Sequence, residues 1–501
     1  MFSAYSTALQ SAGRTNWSVG SLGAWLSGMG LTSALSLLFM LGIPSPIFWV
    51  TAGSLLIAWG LWAWLYPLPA FACLISVWTT VYQRTTIPLL PGEGGDSLSG
   101  ISLGDLMWGA YISGWLWRGL HFQRESKNPP AVPFNFITAL MVPYLILSMI
   151  LPILGVLAYG FPPSFAFIVA RHLQWLSFAL LGYWVIKVYG WKPIFIALVF
   201  AYTISVFADW TYSAIQLMVS AGTLTKDYLA LDNTFAERFH MGSFFYFRTS
   251  GLQTNPNAHG AFGAIALTFF ICSFLFRLRE VVTLRLTGSL LAALILLTSG
   301  SRGAILAFCV NLIILCFIAA SHALVHRRHQ FLLRLLLSFL GLALALCLVL
   351  PLVWATTPHA LQRLQLSLSF VLDQGLDENA ATRIENWQLA LTKLETEFPL
   401  GTWVPADYAT GISIHNRYIS LLAQGLPFYL LAFIMTLCAP LLAGYKMSLH
   451  EAPYVGVIGM FAMSSIIFLS VFWLTENYSQ PLPLWLLLGI SSSGWRLEQR
   501  G

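Results

Sequence analysis

The chain has 501 residues, of which 57% are hydrophobic and 9% charged, with 25 Lys+Arg against 19 Asp+Glu and a net charge of +6. Its many apolar runs are long enough to cross a bilayer as helices, which excludes a soluble globular domain and directs attention from total charge to where the charges fall. The six cysteines all lie inside apolar segments, so no disulfide framework or zinc knuckle is expected.

In chain order, spans are predicted near 22–41, 47–65, 67–82, 104–118, 136–158, 165–187, 193–218, 258–276, 286–298, 303–321, 335–355, 426–444, 453–474 and 482–494. The expected fold is therefore an all-α polytopic membrane protein with about 12–14 transmembrane helices. The first run is read as a retained helix, not a signal peptide, because further spans follow it in place of a cleavage site. With the N-terminus inside, short inner segments collect fifteen of the 25 basic residues, Arg277, Arg279 and Arg285 among them. This excess predicts both termini in the cytoplasm and long outer segments at 83–103, 219–257 and 356–425.

The expected organisation is a bundle over 1–355 with outer loops 83–103 and 219–257, a helical outer loop over 356–425, and C-terminal transmembrane helices over 426–501. No repeat, low-complexity tract or soluble domain interrupts it. The composition of 92–100, GEGGDSLSG, predicts a flexible turn-rich loop. In the large loop, Ile384, Trp387, Leu391, Leu394 and Phe398 recur at helical spacing after Asn379 and end before Pro399, predicting an amphipathic helix resting on the bundle. Leu361, Leu364 and Leu368 suggest an earlier helix of the same kind.

Three polar constellations could carry chemistry. Around Arg248 to Gly260, Asn255-Pro256-Asn257 favours a turn, and Asn257 can cap the next helix, leaving Arg248 and backbone N–H groups to face an anion. His259 in the same stretch reads as a core histidine with one polar partner. In Thr298-Ser-Gly-Ser-Arg302-Gly303, an arginine at the membrane edge is costly unless it faces protein, ligand or lipid phosphate, and the glycines leave room for a bulky anion. In Ser413-Ile-His415-Asn416-Arg417-Tyr418, the imidazole suits proton transfer near neutral pH, oriented by Asn416 or a nearby carboxylate.

Taken together and in this order, Arg248…Gly251…Asn255-Pro-Asn257, Ser299-Gly-Ser-Arg302-Gly303-Ala304, Arg383…Trp387…Phe398-Pro-Leu-Gly401 and His415-Asn416-Arg-Tyr418 resemble the O-antigen ligase and polymerase superfamily. These are bacterial inner-membrane glycosyltransferases of the GT-C type, and the resemblance covers roughly residues 165–445. It implies transfer of a glycan from undecaprenyl diphosphate to an acceptor hydroxyl at the periplasmic face, as ligase or polymerase, with inversion. The implied acceptor is a second glycan or a lipid A core; no cofactor, metal ion or nucleic acid is implied. By the same resemblance His415 is the base and Arg248 and Arg302 hold the diphosphate. Arg383 is a structural or substrate-binding arginine, and Asn255, Asn257, Asn416 and Tyr418 support the site. Two positions depart from the family pattern: Gln424 stands where a glutamate is usual and Trp403 where a second glycine is often found. The rival classes are a polytopic transporter of glycans or small anions, which commonly carries paired half-repeats and midplane ionisable groups, and a non-catalytic envelope subunit.

Overall fold

In the computed structural model, the described residues are 19–41, 45–80, 87–88, 100–123, 135–162, 165, 167–220, 237–241, 244–253, 255–276, 278, 280–325, 333, 336–337, 340, 378–412, 414–476 and 482–495. Most of the expected span 335–355, the loop at 92–100 except Gly100, and the expected helix carrying Leu361, Leu364 and Leu368 lie outside them.

The helices follow the apolar runs closely. They are α1 (Val19–Leu41), α2 (Pro46–Leu65), α3 (Pro67–Thr80), α4 (Leu103–Gln123), α5 (Phe136–Tyr159), α6 (Phe167–Tyr189), α7 (Trp191–Ser220), α8 (Pro256–Leu275), α9 (Val282–Thr298) and α10 (Arg302–Val325). After these come α11 (Glu378–Glu397), α12 (Ala406–Thr410), α13 (Arg417–Ser448), α14 (Pro453–Phe472) and α15 (Leu482–Gly494). Eight of the described helices are long and apolar enough to cross a membrane, and α3 and α9 are shorter apolar helices. Among the described residues, strands form two small antiparallel hairpins, β1 (Ile87–Pro88) with β2 (Gly100–Ile101) and β3 (Glu237–Met241) with β4 (Phe244–Arg248). The protein is thus an all-α polytopic membrane protein.

Helix pairing rests on small residues, because between apolar helices in lipid it is close backbone approach, not water exclusion, that gains energy. In the α13–α14 pair a Cβ added to Gly444 would come within 2.8 Å of the Gly459 carbonyl oxygen, so neither position admits a larger side chain. The central helices α8 and α14 are buried along most of their length, whereas α1, α2 and α5 present Leu26, Ile47, Val50 and Leu157 outward.

Charges gather at the two ends of the bundle. At one end Glu280 accepts from Tyr454 at 2.5 Å and pairs with Lys192 at 2.8 Å. Burial works to raise the Glu280 carboxyl, but the Lys192 and Tyr454 hydrogen bonds outweigh it and bring the pKa down to about 2. Arg285, counted above among the loop charges, is instead buried at the start of α9. Its guanidinium donates to the carbonyls of Ser273, at 2.8 Å, and Leu278, so it closes the C-terminal end of α8.

The other end carries a polar cap. There α11 lays Ala390 and Leu394 against Ala406, Ile414 and Ala423, with Trp387 and Phe398 packed beside them. Leu391, expected on that face, is 38% exposed. The buried stripe runs one residue earlier, through Ala390, because the small side chain lets the helix lie closer to the start of α13. Lys393 donates to the Thr410 carbonyl at 2.7 Å and so caps α12 from the side. The helix α13 starts at Arg417, well before the apolar run, and bends at Gly425 and Leu426 just ahead of Pro427. Proline removes the N–H that would continue the ladder and disfavours helical backbone in the residue before it, which accounts for the break.

Candidate functional site

The cap end is built by stapling loops to helix termini. The segment 249–253 hangs from α7: Asp209 accepts from the Leu252 amide at 2.6 Å, and Gln216 accepts from the Ser250 and Gly251 amides at 3.2 and 3.0 Å. Gly251 has φ +55°, and a Cβ there would overlap the Asp209 carboxylate and the His259 ring, so glycine is required on both counts. His259 is fully buried with Nδ1 2.7 Å from Asp209, and Nε2 lies 3.2 Å from the hydroxyls of Ser213 and Thr249. It holds the α7–α8 junction together, as the core-histidine expectation has it.

This loop also carries the first constellation to the second. Thr249 donates through its amide to the Thr298 carbonyl at 3.2 Å and through its hydroxyl to the Thr298 hydroxyl at 3.1 Å. The backbone of Arg248, the last residue of β4, therefore stands one residue from the end of α9; its side chain lies outside the described part of the structure. Between α9 and α10 the chain turns in three residues, with Gly300 at φ +57°. Ser301 then accepts from the Ala304 amide at 3.3 Å, capping α10 and placing Arg302 in its first turn.

The capping residue of α8 is Asn255, whose side chain accepts from the Asn257 amide at 2.7 Å. The expectation that Asn257 caps this helix is thus corrected. Asn257 instead donates its side-chain amide to Glu476 Oε1 at 2.7 Å. Glu476, in the turn after α14, is the group around which the remaining constellations meet. Arg383 of the cap donates to the Thr475 carbonyl at 2.5 Å and to Glu476 Oε1 at 3.0 Å. His415 turns Nδ1 toward Glu476 Oε2 at 3.5 Å, longer than a formed hydrogen bond. On the α10 side, Gly303 lies so close to Thr475 that an added Cβ would overlap its hydroxyl.

The neighbours of His415 hold it to the same turn. Asn416 caps α13 by accepting from the Ile419 amide at 3.1 Å and donates to the Leu474 carbonyl at 3.0 Å. The Arg417 amide donates to the Trp473 carbonyl at 2.9 Å, and the Tyr418 hydroxyl to Ser470 at 2.8 Å. Of the two groups named as possible orienters of His415, the carboxylate faces the ring and Asn416 serves the helix.

The Glu476 side chain is 9% exposed, against 41% for His415. Burial works to raise the Glu476 carboxyl, but the His415 ring and the Arg383 guanidinium beside it outweigh burial and hold its pKa below the ordinary carboxylate range. Arg383 thus bonds to both residues of the Thr475–Glu476 turn. Among the described residues no three His, Cys, Asp or Glu side chains stand close enough to hold a metal ion.

Residues 287–427 match the family model for O-antigen ligase. The match runs from α9 to the bend of α13. No curated protein matches the chain. The ligase segment holds Arg302, Arg383 and His415, and supports a glycosyltransferase-like role of O-antigen ligase or polymerase type in polysaccharide assembly. It excludes Asn257 and Glu476, which reach it only through the fold.

The ligase segment also explains one departure from the family pattern. Trp403, at the position where a second glycine is often found, has φ +57°, a left-handed backbone that glycine adopts without steric cost. Its amide donates to the Gln424 carbonyl at 2.9 Å and the Thr402 amide to the Ala423 carbonyl at 3.0 Å, so the strained turn ties the cap to the bend in α13. The indole donates to the Leu400 carbonyl at 2.6 Å and its ring lies 4.9 Å from that of Tyr159, contacts that offset the strain.

Proposed function

We propose that the protein moves a glycan from undecaprenyl diphosphate to an acceptor hydroxyl at the periplasmic face of the inner membrane, as ligase or polymerase, by a single inverting displacement that needs no metal ion. The observation that carries this reading is the meeting of His415 and Arg383 with Asn257 at one carboxylate, with Gly303, next to Arg302, packed against the same turn. Four stretches far apart in sequence are thereby gathered at one end of the bundle.

In the proposed reaction the acceptor oxygen attacks the anomeric carbon, the glycosyl–phosphate bond breaks, and the electron pair leaves with the diphosphate. His415 takes the hydroxyl proton, which a sugar hydroxyl must lose to become an effective nucleophile. Arg302 in the first turn of α10, and Arg248 at the end of β4, hold the diphosphate. A guanidinium fork matches phosphate oxygens in pairs, and the helix N-terminus adds partial positive charge where negative charge develops. Arg383 holds the cap over the site.

The test is a transfer assay with purified protein, a polyprenyl-diphosphate-linked oligosaccharide and a candidate acceptor in liposomes. The expected result is a glycosylated acceptor with one equivalent of polyprenyl diphosphate released. Movement of intact lipid-linked glycan or anion across the bilayer without cleavage would overturn the reading in favour of a transporter.

A further inference from the structure

Glu476 lies outside the family segment and outside every motif in the sequence, yet its side chain joins three separate parts of the site. Its Oε1 is occupied by Asn257 from the start of α8, at 2.7 Å, and by Arg383 from the cap, at 3.0 Å. Its Oε2 is turned to His415 Nδ1 at 3.5 Å. The facing backbones are fixed independently by Asn416 on Leu474 and by the Arg417 amide on Trp473. The backbones that carry the carboxylate and the imidazole are therefore held opposite one another by bonds that involve neither side chain, and Asn257 and Arg383 orient the carboxylate itself.

Resting on the reading of His415 as base, we propose that Glu476 is the positioning residue of the transfer reaction: it fixes the imidazole through Nδ1 so that Nε2 receives the acceptor's proton, and it does so only while Arg383 keeps the cap docked. When Nε2 accepts the hydroxyl proton, the ring becomes an imidazolium whose Nδ1–H points at Oε2. The 3.5 Å separation shortens as that charge forms, as catalytic hydrogen bonds do between resting and reacting states. The proton stays on the imidazolium until it passes to the departing diphosphate or to water, and Glu476 remains ionised throughout. Because Arg383 and Asn257 share the other oxygen, loss of either frees the carboxylate to rotate. Orientation of the base thereby becomes conditional on assembly of the cap.

The discriminating variant is Glu476→Gln. Its amide oxygen still accepts from Asn257 and Arg383, while its NH2 faces Nδ1 and donates to it. That places the ring hydrogen on Nε2, the wrong tautomer for a base; an aspartate-to-asparagine change beside a catalytic histidine lowers kcat by on the order of 10⁴ for this reason. The expected result is a fall in kcat of about 10³-fold with donor KM changed by less than about threefold. Peptide-resolved carbethoxylation by diethyl pyrocarbonate, which reacts at an unprotonated ring nitrogen, supplies a readout independent of turnover. The rate at His415 should fall several-fold in Glu476→Gln, with His450 at the far end of the bundle as the unchanged reference. Wild-type kcat, or an unchanged rate at His415, in Glu476→Gln while His415→Ala is inactive overturns the positioning role and leaves the base in place. Wild-type turnover by His415→Ala overturns the underlying reading itself.

Discussion

Asn257 and Glu476 are 219 positions apart, and the Asn257 side-chain amide donates to the Glu476 carboxylate at 2.7 Å. The contact ties the first turn of α8 to the turn that follows α14, and with it the amide-rich end of the bundle to the cap.

Replacing Arg383 by alanine removes a charge-assisted bond to Glu476 and the bond to the Thr475 carbonyl. Hydrogen bonds to charged groups contribute about 1.5–3 kcal/mol, so docking of α11 should weaken by about 2 kcal/mol without unfolding of the bundle. Amide exchange measured on peptides spanning 378–397 should rise by one to two orders of magnitude while exchange in α8 and α14 stays constant. Arg383→Lys should recover little, since one ammonium cannot reach both acceptors in the planar arrangement of the guanidinium.

The two histidines of the site end should separate cleanly. His259 is 0% exposed, with Nδ1 beside a buried Asp209 and Nε2 near the hydroxyls of Ser213 and Thr249, and leaving a buried polar group unsatisfied costs about 1–3 kcal/mol. His259→Ala should therefore lower folded yield and thermal midpoint, whereas His415→Ala, at 41% exposure, should leave both near wild type. Thermal unfolding in detergent, followed by light scattering and intrinsic fluorescence, checks both.

Arg302→Ala should weaken binding of the lipid-linked donor by at least tenfold, with Arg302→Lys recovering only part, because a point charge does not reproduce a paired fork. Equilibrium binding of the donor to the purified variants measures this directly, and an affinity equal to wild type in Arg302→Ala removes the diphosphate role from that residue.

Acid should undock the cap. The Glu476 pKa is depressed in the folded protein, so its contribution is complete above the ordinary carboxylate value of about 4.3 and is lost as pH falls through the lower folded value. Proteolytic sensitivity of 378–412 should rise below about pH 4. Glu476→Gln, which does not titrate, should lack this component, so the difference between the two proteins isolates it.

Span boundaries were readable because lipid demands a continuous apolar run and every backbone bond satisfied within it; the expected 453–474 and 482–494 coincide with α14 and α15 to within two residues. The face of α11 was readable only to within one residue, since periodicity favoured Leu391 and packing favoured the smaller Ala390. Asn255 and Asn257 are equivalent as candidate caps in sequence, and the choice follows from where the helix begins relative to Pro256. Glu476 had no local signal: a single carboxylate after an apolar span resembles any other loop charge until the fold brings Asn257, Arg383 and His415 to it. The residues that carry recognisable spacing were thus legible, and the one that joins them was not.

The most direct measurement of the central claim is glycan transfer by purified His415→Ala beside wild type, with folding checked by thermal midpoint and donor binding checked independently. The account predicts donor affinity within a few-fold of wild type and transfer reduced by at least two orders of magnitude, in keeping with loss of a general base. Transfer at the wild-type rate by the folded variant would contradict it.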